Sequence, residues 1–130
     1  MTIDTTLAIT VVVDTAYAAF AAGDIATILD LVADDVSWES PRTLPHGGSF
    51  SGRDGVLQFF QGIGTHWASL RLTIEGVAAL NDHTVVGVVN AAGEHVNGSR
   101  ANYGATHVFT IRGGLIVAFR EFVNLDAVLA

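Results

Sequence analysis

The apolar residues of this chain change their spacing about halfway along it. In the first half, Ile9, Val13, Tyr17 and Phe20 recur at the interval of a helical turn and draw an apolar stripe down one helix face. From Leu70 onward the period becomes two. Leu70, Leu72 and Ile74 alternate with Arg71, Thr73 and Glu75, and His107, Phe109 and Ile111 alternate with Thr106, Val108 and Thr110. Such alternation marks half-buried strands. Helices followed by strands predict an α+β layout, with helices covering one face of a curved sheet. A curved sheet closed by helices leaves a concave pocket.

Local signals set the expected boundaries. Gly23 stops the first helix, and Asp24 caps a short second one through Ile28, Leu29 and Val32, which Asp34-Asp35 break. Val36 to Ser40 reads as a strand ended by Pro41, and residues 42–52 read as a loop with Pro45, Gly47, Gly48 and Gly52. A third helix runs from Arg53 to Gln61, with Asp54 favourable in its first turn, until Gly62 and Gly64 end it. Asn81-Asp82 turns the chain into the Val-rich segment from Thr84 to Asn90, and a glycine-containing loop follows through Asn97-Gly98. Gly113-Gly114 makes a tight hairpin into the last strand, Leu115 to Asn124, and the final residues read as a short helix. No repeat or linker divides the 130 residues, which suit a single domain, 1–130.

Composition narrows the chemistry. Without Cys there is no disulfide, thiolate nucleophile or cysteine metal site, and without Lys there is no Schiff base. A formal charge of −7 leaves little to build a basic patch, so nucleic acid is not an expected partner. His46, His66, His83, His95 and His107 lack metal-ligand spacing, and no metal is expected. No apolar run approaches the roughly eighteen residues of a membrane span, and the N-terminus lacks the features of a signal peptide. A cytoplasmic protein with no membrane association is the expectation.

Four segments resemble one superfamily, in the right order. They are Tyr17-Ala-Ala-Phe-Ala-Ala-Gly-Asp24, Ala33-Asp-Asp-Val-Ser-Trp-Glu-Ser-Pro41, Gly52-Arg-Asp-Gly-Val-Leu-Gln-Phe-Phe60 and the run from His107 to Asn124. Together they are similar to the SnoaL-like and ketosteroid-isomerase-like group of the nuclear-transport-factor-2-like superfamily. The resemblance implies a cone-shaped barrel, with three N-terminal helices packed on a curved antiparallel sheet. It also implies a pocket for a hydrophobic small molecule. Matched position by position, Trp38, Ser40, Asn90, Tyr103, His107, Phe109, Phe119 and Glu121 face that pocket, and Tyr17 reaches its rim. Homodimers pairing through the sheet are implied as well. This agrees with the apolar residues that Val85 to Val89 and Val108 offer on both faces.

The superfamily hosts several activities, so the reaction must be argued from the site. Ketosteroid isomerases carry an Asp base where Ser40 stands, a Tyr where Ala16 stands and an Asp where His107 stands, so all three groups differ. Of the limonene-type epoxide hydrolase set, Glu121 matches the base, while Asn90 takes the place of the acid and Val88 that of the Arg. What remains is an acid–base pair, Glu121 and His107, with Asn90 and Tyr103 orienting. His exchanges protons near neutral pH, and a Glu walled by aromatic rings is expected to have its pKa raised by desolvation. The leading expectation is therefore a cofactor-independent isomerase or lyase of polyketide-cyclase-like chemistry, acting on a hydrophobic carbonyl compound. Alternatives are a non-catalytic small-ligand-binding protein, a limonene-type epoxide hydrolase, and an association domain whose cone is plugged by Trp38, Tyr103 and Phe119. His46, in the Gly/Pro loop near the expected mouth, is a candidate lid residue.

Overall fold

The apolar stripe on the first helix packs as its spacing predicts: Val13 is fully buried, and Ile9 and Ala16 almost so. The structure, a computed structural model, describes residues 5–123. Its elements are α1 (Thr5–Ala21), α2 (Ile25–Leu31), β1 (Val32–Ser40), β2 (Gly48–Ser51), α3 (Gly52–His66), β3 (Trp67–Ala79), β4 (Thr84–His95), β5 (Arg100–Arg112) and β6 (Leu115–Val123). Asp24 caps α2 as expected, its carboxylate accepting from the Thr27 backbone N–H at 3.2 Å and from Oγ1 at 2.6 Å. The final strand's last residue, Asn124, and the expected terminal helix lie outside the described residues.

The six strands form one curved sheet in the order β2-β1-β6-β5-β4-β3, and the three helices complete an α+β cone. The sheet is not a closed barrel: β2 and β3 are its two edges. Nor is it wholly antiparallel, because β1 pairs with β6 in parallel. The connection through β2 and α3 carries the chain from one side of the sheet to the far edge. The meander β3-β4-β5-β6 then returns to β1 running in the same direction. Register shifts in the β1/β6, β3/β4 and β5/β6 pairings bend the sheet. The helices seal the concave face over a core that includes Val32, Val36, Val56, Val85 and Ile116, all at zero exposure. Each such side chain contributes roughly 1.5–3 kcal/mol by leaving water.

Several boundaries differ from the sequence reading, each for a physical reason. Asp34 and Asp35 do not break a helix. They lie exposed in β1, which begins at Val32 and reaches its regular alternation only from Val36. Part of the expected 42–52 loop is the edge strand β2, hidden in the sequence by its short Gly-Ser-Phe-Ser composition. Gly62 and Gly64 do not end α3, which continues to His66 because Val56 and Phe59 pin it to the core. Strand β4 continues past Asn90 to His95, leaving only a short turn before β5. Ile74 keeps the register of Leu70 and Leu72 opposite Val89, but it lies on the edge strand β3 and is 39% exposed. The Gly113-Gly114 hairpin forms as expected, with φ of +58° and +78° that side-chain-bearing residues rarely adopt.

Glycine inside a helix costs about 0.5–1 kcal/mol relative to Ala. A Cβ added at Gly64 would meet nothing within 4 Å. Gly64→Ala is therefore expected to stabilise the protein by about that amount, seen as a higher urea midpoint with an unchanged slope.

Candidate functional site

The concave face holds a cavity of about 560 Å3, counting the part open to solvent. Its walls are mostly apolar and aromatic. Trp38 stacks on Phe119 at 4.1 Å between centroids, and Phe59, Phe60 and Phe109 pack around them. Rather than plugging the cone, Trp38, Tyr103 and Phe119 form part of the cavity wall. The Trp38 indole N–H is sealed in that wall without a hydrogen-bond partner among the described residues, a cost of about 1–3 kcal/mol.

Sheet register assembles the polar group in this wall. β5 and β6 set His107 directly across from Glu121, and β1 beside β6 brings Ser40 to the same carboxylate. The result is a four-residue hydrogen-bonded chain. The Ser40 hydroxyl donates to Glu121 Oε1 at 2.7 Å, His107 Nε2 meets Glu121 Oε2 at 2.9 Å, and the Tyr17 hydroxyl meets His107 Nδ1 at 2.8 Å. The His107 and Glu121 side chains are only 5% and 8% exposed.

Tyr17 is only partly buried, and it lines the cavity. It crosses the concave face from α1 because β4 carries Gly87, the cross-strand neighbour of His107. A Cβ at residue 87 would fall 2.1 Å from the Tyr17 hydroxyl oxygen, so any side chain there displaces the phenol. A glycine within a Val-rich strand is the sequence signal for such a close approach.

Burial is the largest influence on Glu121 and by itself would raise its pKa. The His107 hydrogen bond and charge, with the Ser40 hydrogen bond, outweigh it and hold the carboxyl below its usual range. The raised pKa expected from the aromatic walls is thus reversed by partners the sequence did not reveal. Tyr17 is pushed up by burial, then by the charges of Glu121 and Asp14, and stays a phenol. Tyr103 is pushed up by burial and by Glu121.

The other expected site residues divide clearly. Tyr103, Phe109 and Phe119 line the cavity, as does Trp38. Ser40 is buried but is not part of the wall, since its hydroxyl is spent behind Glu121. Asn90 is not in the site at all. Val89 and Ala91 point inward at 1% exposure each, so the strand alternation turns Asn90 to the opposite face. His46 is no exposed lid. It is 5% exposed, lines the cavity, and accepts a hydrogen bond at Nδ1 from the Trp67 indole N–H at 2.9 Å. Nothing in its Gly/Pro context marks it as buried. Among the described residues no three His, Asp or Glu side chains gather as a metal ion would need, and no helix is long and apolar enough to cross a membrane.

A curved sheet and three helices around an apolar cavity with one buried polar chain define a cone-fold pocket protein. A sequence profile described as a SnoaL-like domain matches residues 13–119, and the chain belongs to that family. Among solved structures it is similar to a nuclear-transport-factor-2-like protein of unknown function from Burkholderia pseudomallei. That protein shares 26% identity over 95% of this chain and 98% of that one, with a TM-score of 0.84. It is also similar in fold to TerC co-crystallised with polyporic acid, at 21% identity over 95% and 99% of the two chains and a TM-score of 0.82. A third is a Mycobacterium tuberculosis protein in complex with estradiol-17beta-hemisuccinate, at 22% identity over 90% and 94% and a TM-score of 0.75. No functionally curated protein matches the sequence.

Two pKa shifts set a direction for pH dependence. Burial, the largest influence, with the neighbouring His66 and His95 lowers the pKa of His46 from 6.5 against the opposing pull of Glu121; Glu121 is lowered from 4.5. A group with a depressed folded-state pKa contributes stability above its unfolded pKa and loses it as pH falls. The thermal midpoint should therefore fall as pH drops below about 6.5, and fall further below about 4.5. His46→Gln should remove the upper decline and leave the lower one, measured by melting curves from pH 8 to 4.

Proposed function

We propose that this protein binds a hydrophobic carbonyl compound in the cone and moves protons on it, as an isomerase or lyase needing no metal or organic cofactor. The observation that carries this reading is the Ser40–Glu121–His107–Tyr17 chain ending in a mostly apolar cavity. The ionised Glu121 can only accept hydrogen bonds, so it holds His107 with Nε2 protonated. In the neutral ring Nδ1 is then bare and takes the Tyr17 proton. In the imidazolium Nδ1–H donates to the Tyr17 oxygen, freeing the phenol proton for a substrate oxygen. The chain thus has two states differing by one proton. This is the logic of a general acid–base pair.

The catalytic pair expected from the sequence, Glu121 and His107, is kept with altered roles. Glu121 is the anion that fixes the ring, while His107 and Tyr17 exchange the proton with the ligand. Tyr103, Trp38, Phe109 and Phe119 shape the apolar walls. The estradiol-17beta-hemisuccinate and polyporic acid found with two proteins of the same fold support a small hydrophobic ligand.

The test needs no known substrate. Exchange of the α-protons of 1-tetralone in D2O, followed by 1H NMR, should be accelerated by the wild-type protein. Glu121→Gln and His107→Ala should each lower that rate by about 10²–10⁴-fold, the usual worth of a positioned acid–base group. Rates unchanged in both variants would refute the assignment. Saturable binding without exchange would favour a non-catalytic binding protein.

We also propose a homodimer formed through the convex sheet face, where Val88 and Phe122 are 42% and 52% exposed. Light scattering should give twice the chain mass, and Val88→Asp with Phe122→Asp should give the monomer.

A further inference from the structure

His46 stands on a different wall of the cavity from the Tyr17–His107–Glu121 chain. It belongs to the segment between β1 and β2 and packs edge-on against Phe59 of α3, at 5.4 Å between ring centroids. Trp67 opens β3 directly after α3 and is itself fixed by stacking on His95 at 4.0 Å. Its indole N–H donates to His46 Nδ1.

That one contact sets the protonation of the imidazole. An indole nitrogen can only donate, so Nδ1 must be bare. The proton of the neutral ring then sits on Nε2. An imidazolium would set two N–H groups head to head at 2.9 Å. Burial works in the same direction.

The orientation follows from what lines the cavity. Trp67 is not part of its wall and His46 is, so the ring turns its Nδ1 edge away and its other edge inward. Nε2 makes no hydrogen bond among the described residues. It is also not sealed off as Trp38 Nε1 is, so it faces open space. A neutral N–H donor on a side chain 95% buried is therefore left for something that enters the cavity. Tyr103 is also without a protein partner in this wall, but a hydroxyl gives or takes. Only His46 fixes the sense of the missing contact: it requires an acceptor. The Glu121 carboxylate, whose charge reaches His46, disfavours an anion there.

We propose that His46 is a second ligand-binding residue, and that the molecule taken by this cavity is a neutral, hydrophobic compound with two oxygen functions. One oxygen faces the Tyr17–His107–Glu121 chain, and the other accepts from His46 Nε2–H. This rests on the pocket reading above and narrows it from carbonyl compounds to hydroxy-ketones or diketones.

Calorimetric titration tests it with 1-tetralone and the 5-, 6- and 7-hydroxy-1-tetralones. The wild-type protein should bind the best hydroxy isomer about tenfold more tightly than 1-tetralone. His46→Leu should bring that ratio close to one. His46→Gln, which keeps an N–H donor, should restore part of it. A ratio near one in the wild type, or a preference that survives His46→Leu, overturns the proposal. Nitrogen-15 shifts of the wild-type histidines give a check free of any folding defect. His46 should show a bare Nδ1 and a protonated Nε2 at neutral pH, and the opposite tautomer or a charged ring overturns it. These readouts are independent of turnover. If no ketone undergoes α-proton exchange, the acid–base reading fails while the two-oxygen preference still stands.

Discussion

A charged carboxylate inside an apolar cone is the constraint on which the rest of this structure depends. An unpaired buried charge costs far more than a domain's margin of stability, so Glu121 must be fully partnered or neutral. Ser40 and His107 each occupy one of its oxygens, and His107 in turn meets Tyr17. Those contacts exist only in one register. β1 must lie parallel to β6 with Glu39 opposite Arg120, and β5 must set His107 opposite Glu121. β4 must then set Gly87 opposite His107, or the Tyr17 hydroxyl has no room. A slip of one residue in any of these strands would turn its members to the convex face.

The same register separates what the cavity offers into two polar edges on an apolar wall. One is the hydrogen-bonded chain on α1, β5 and β6, with both of the His107 ring nitrogens already engaged. The other is His46, whose ring is held by the Trp67 indole N–H at Nδ1. Between them lie the stacked Trp38 and Phe119, the tilted ring of Phe59 and the edge-on ring of Phe109. A flat, hydrophobic molecule is favoured by such walls, and its polar atoms are then constrained to the two edges. Selectivity in such a cavity rests on unmet hydrogen bonds more than on apolar area, since a buried donor left unpaired costs about 1–3 kcal/mol.

Most of the fold was legible from periodicity. The helical stripe of α1, the Asp24 cap, the alternation around His107 and the Gly113-Gly114 hairpin all read directly from local spacing. What misled were local signals overruled by packing. Gly62 and Gly64 read as helix stops, yet α3 continues because Phe59 and Val56 hold it to the sheet. Asp34-Asp35 reads as a break, yet both residues lie in β1 on the solvent side. The parallel β1–β6 pairing has no local signature, because it joins residues some eighty positions apart in sequence.

For the site, the sequence by itself determined the residue types and the faces they share: one Glu and one His on inward rows of neighbouring strands, aromatic walls, and no thiol or amine for other chemistry. Side-chain alternation is a local property, so it could be read without the fold. The family resemblance places Asn90 on the inward row, against the alternation that Val89 and Ala91 define. Only the tertiary structure decided which groups touch. It gave Glu121 the partners that keep it ionised, drew Tyr17 through the gap at Gly87, and buried His46 against Trp67. Protonation states depend on distances between residues far apart in the chain, and those distances exist only once the sheet has curved.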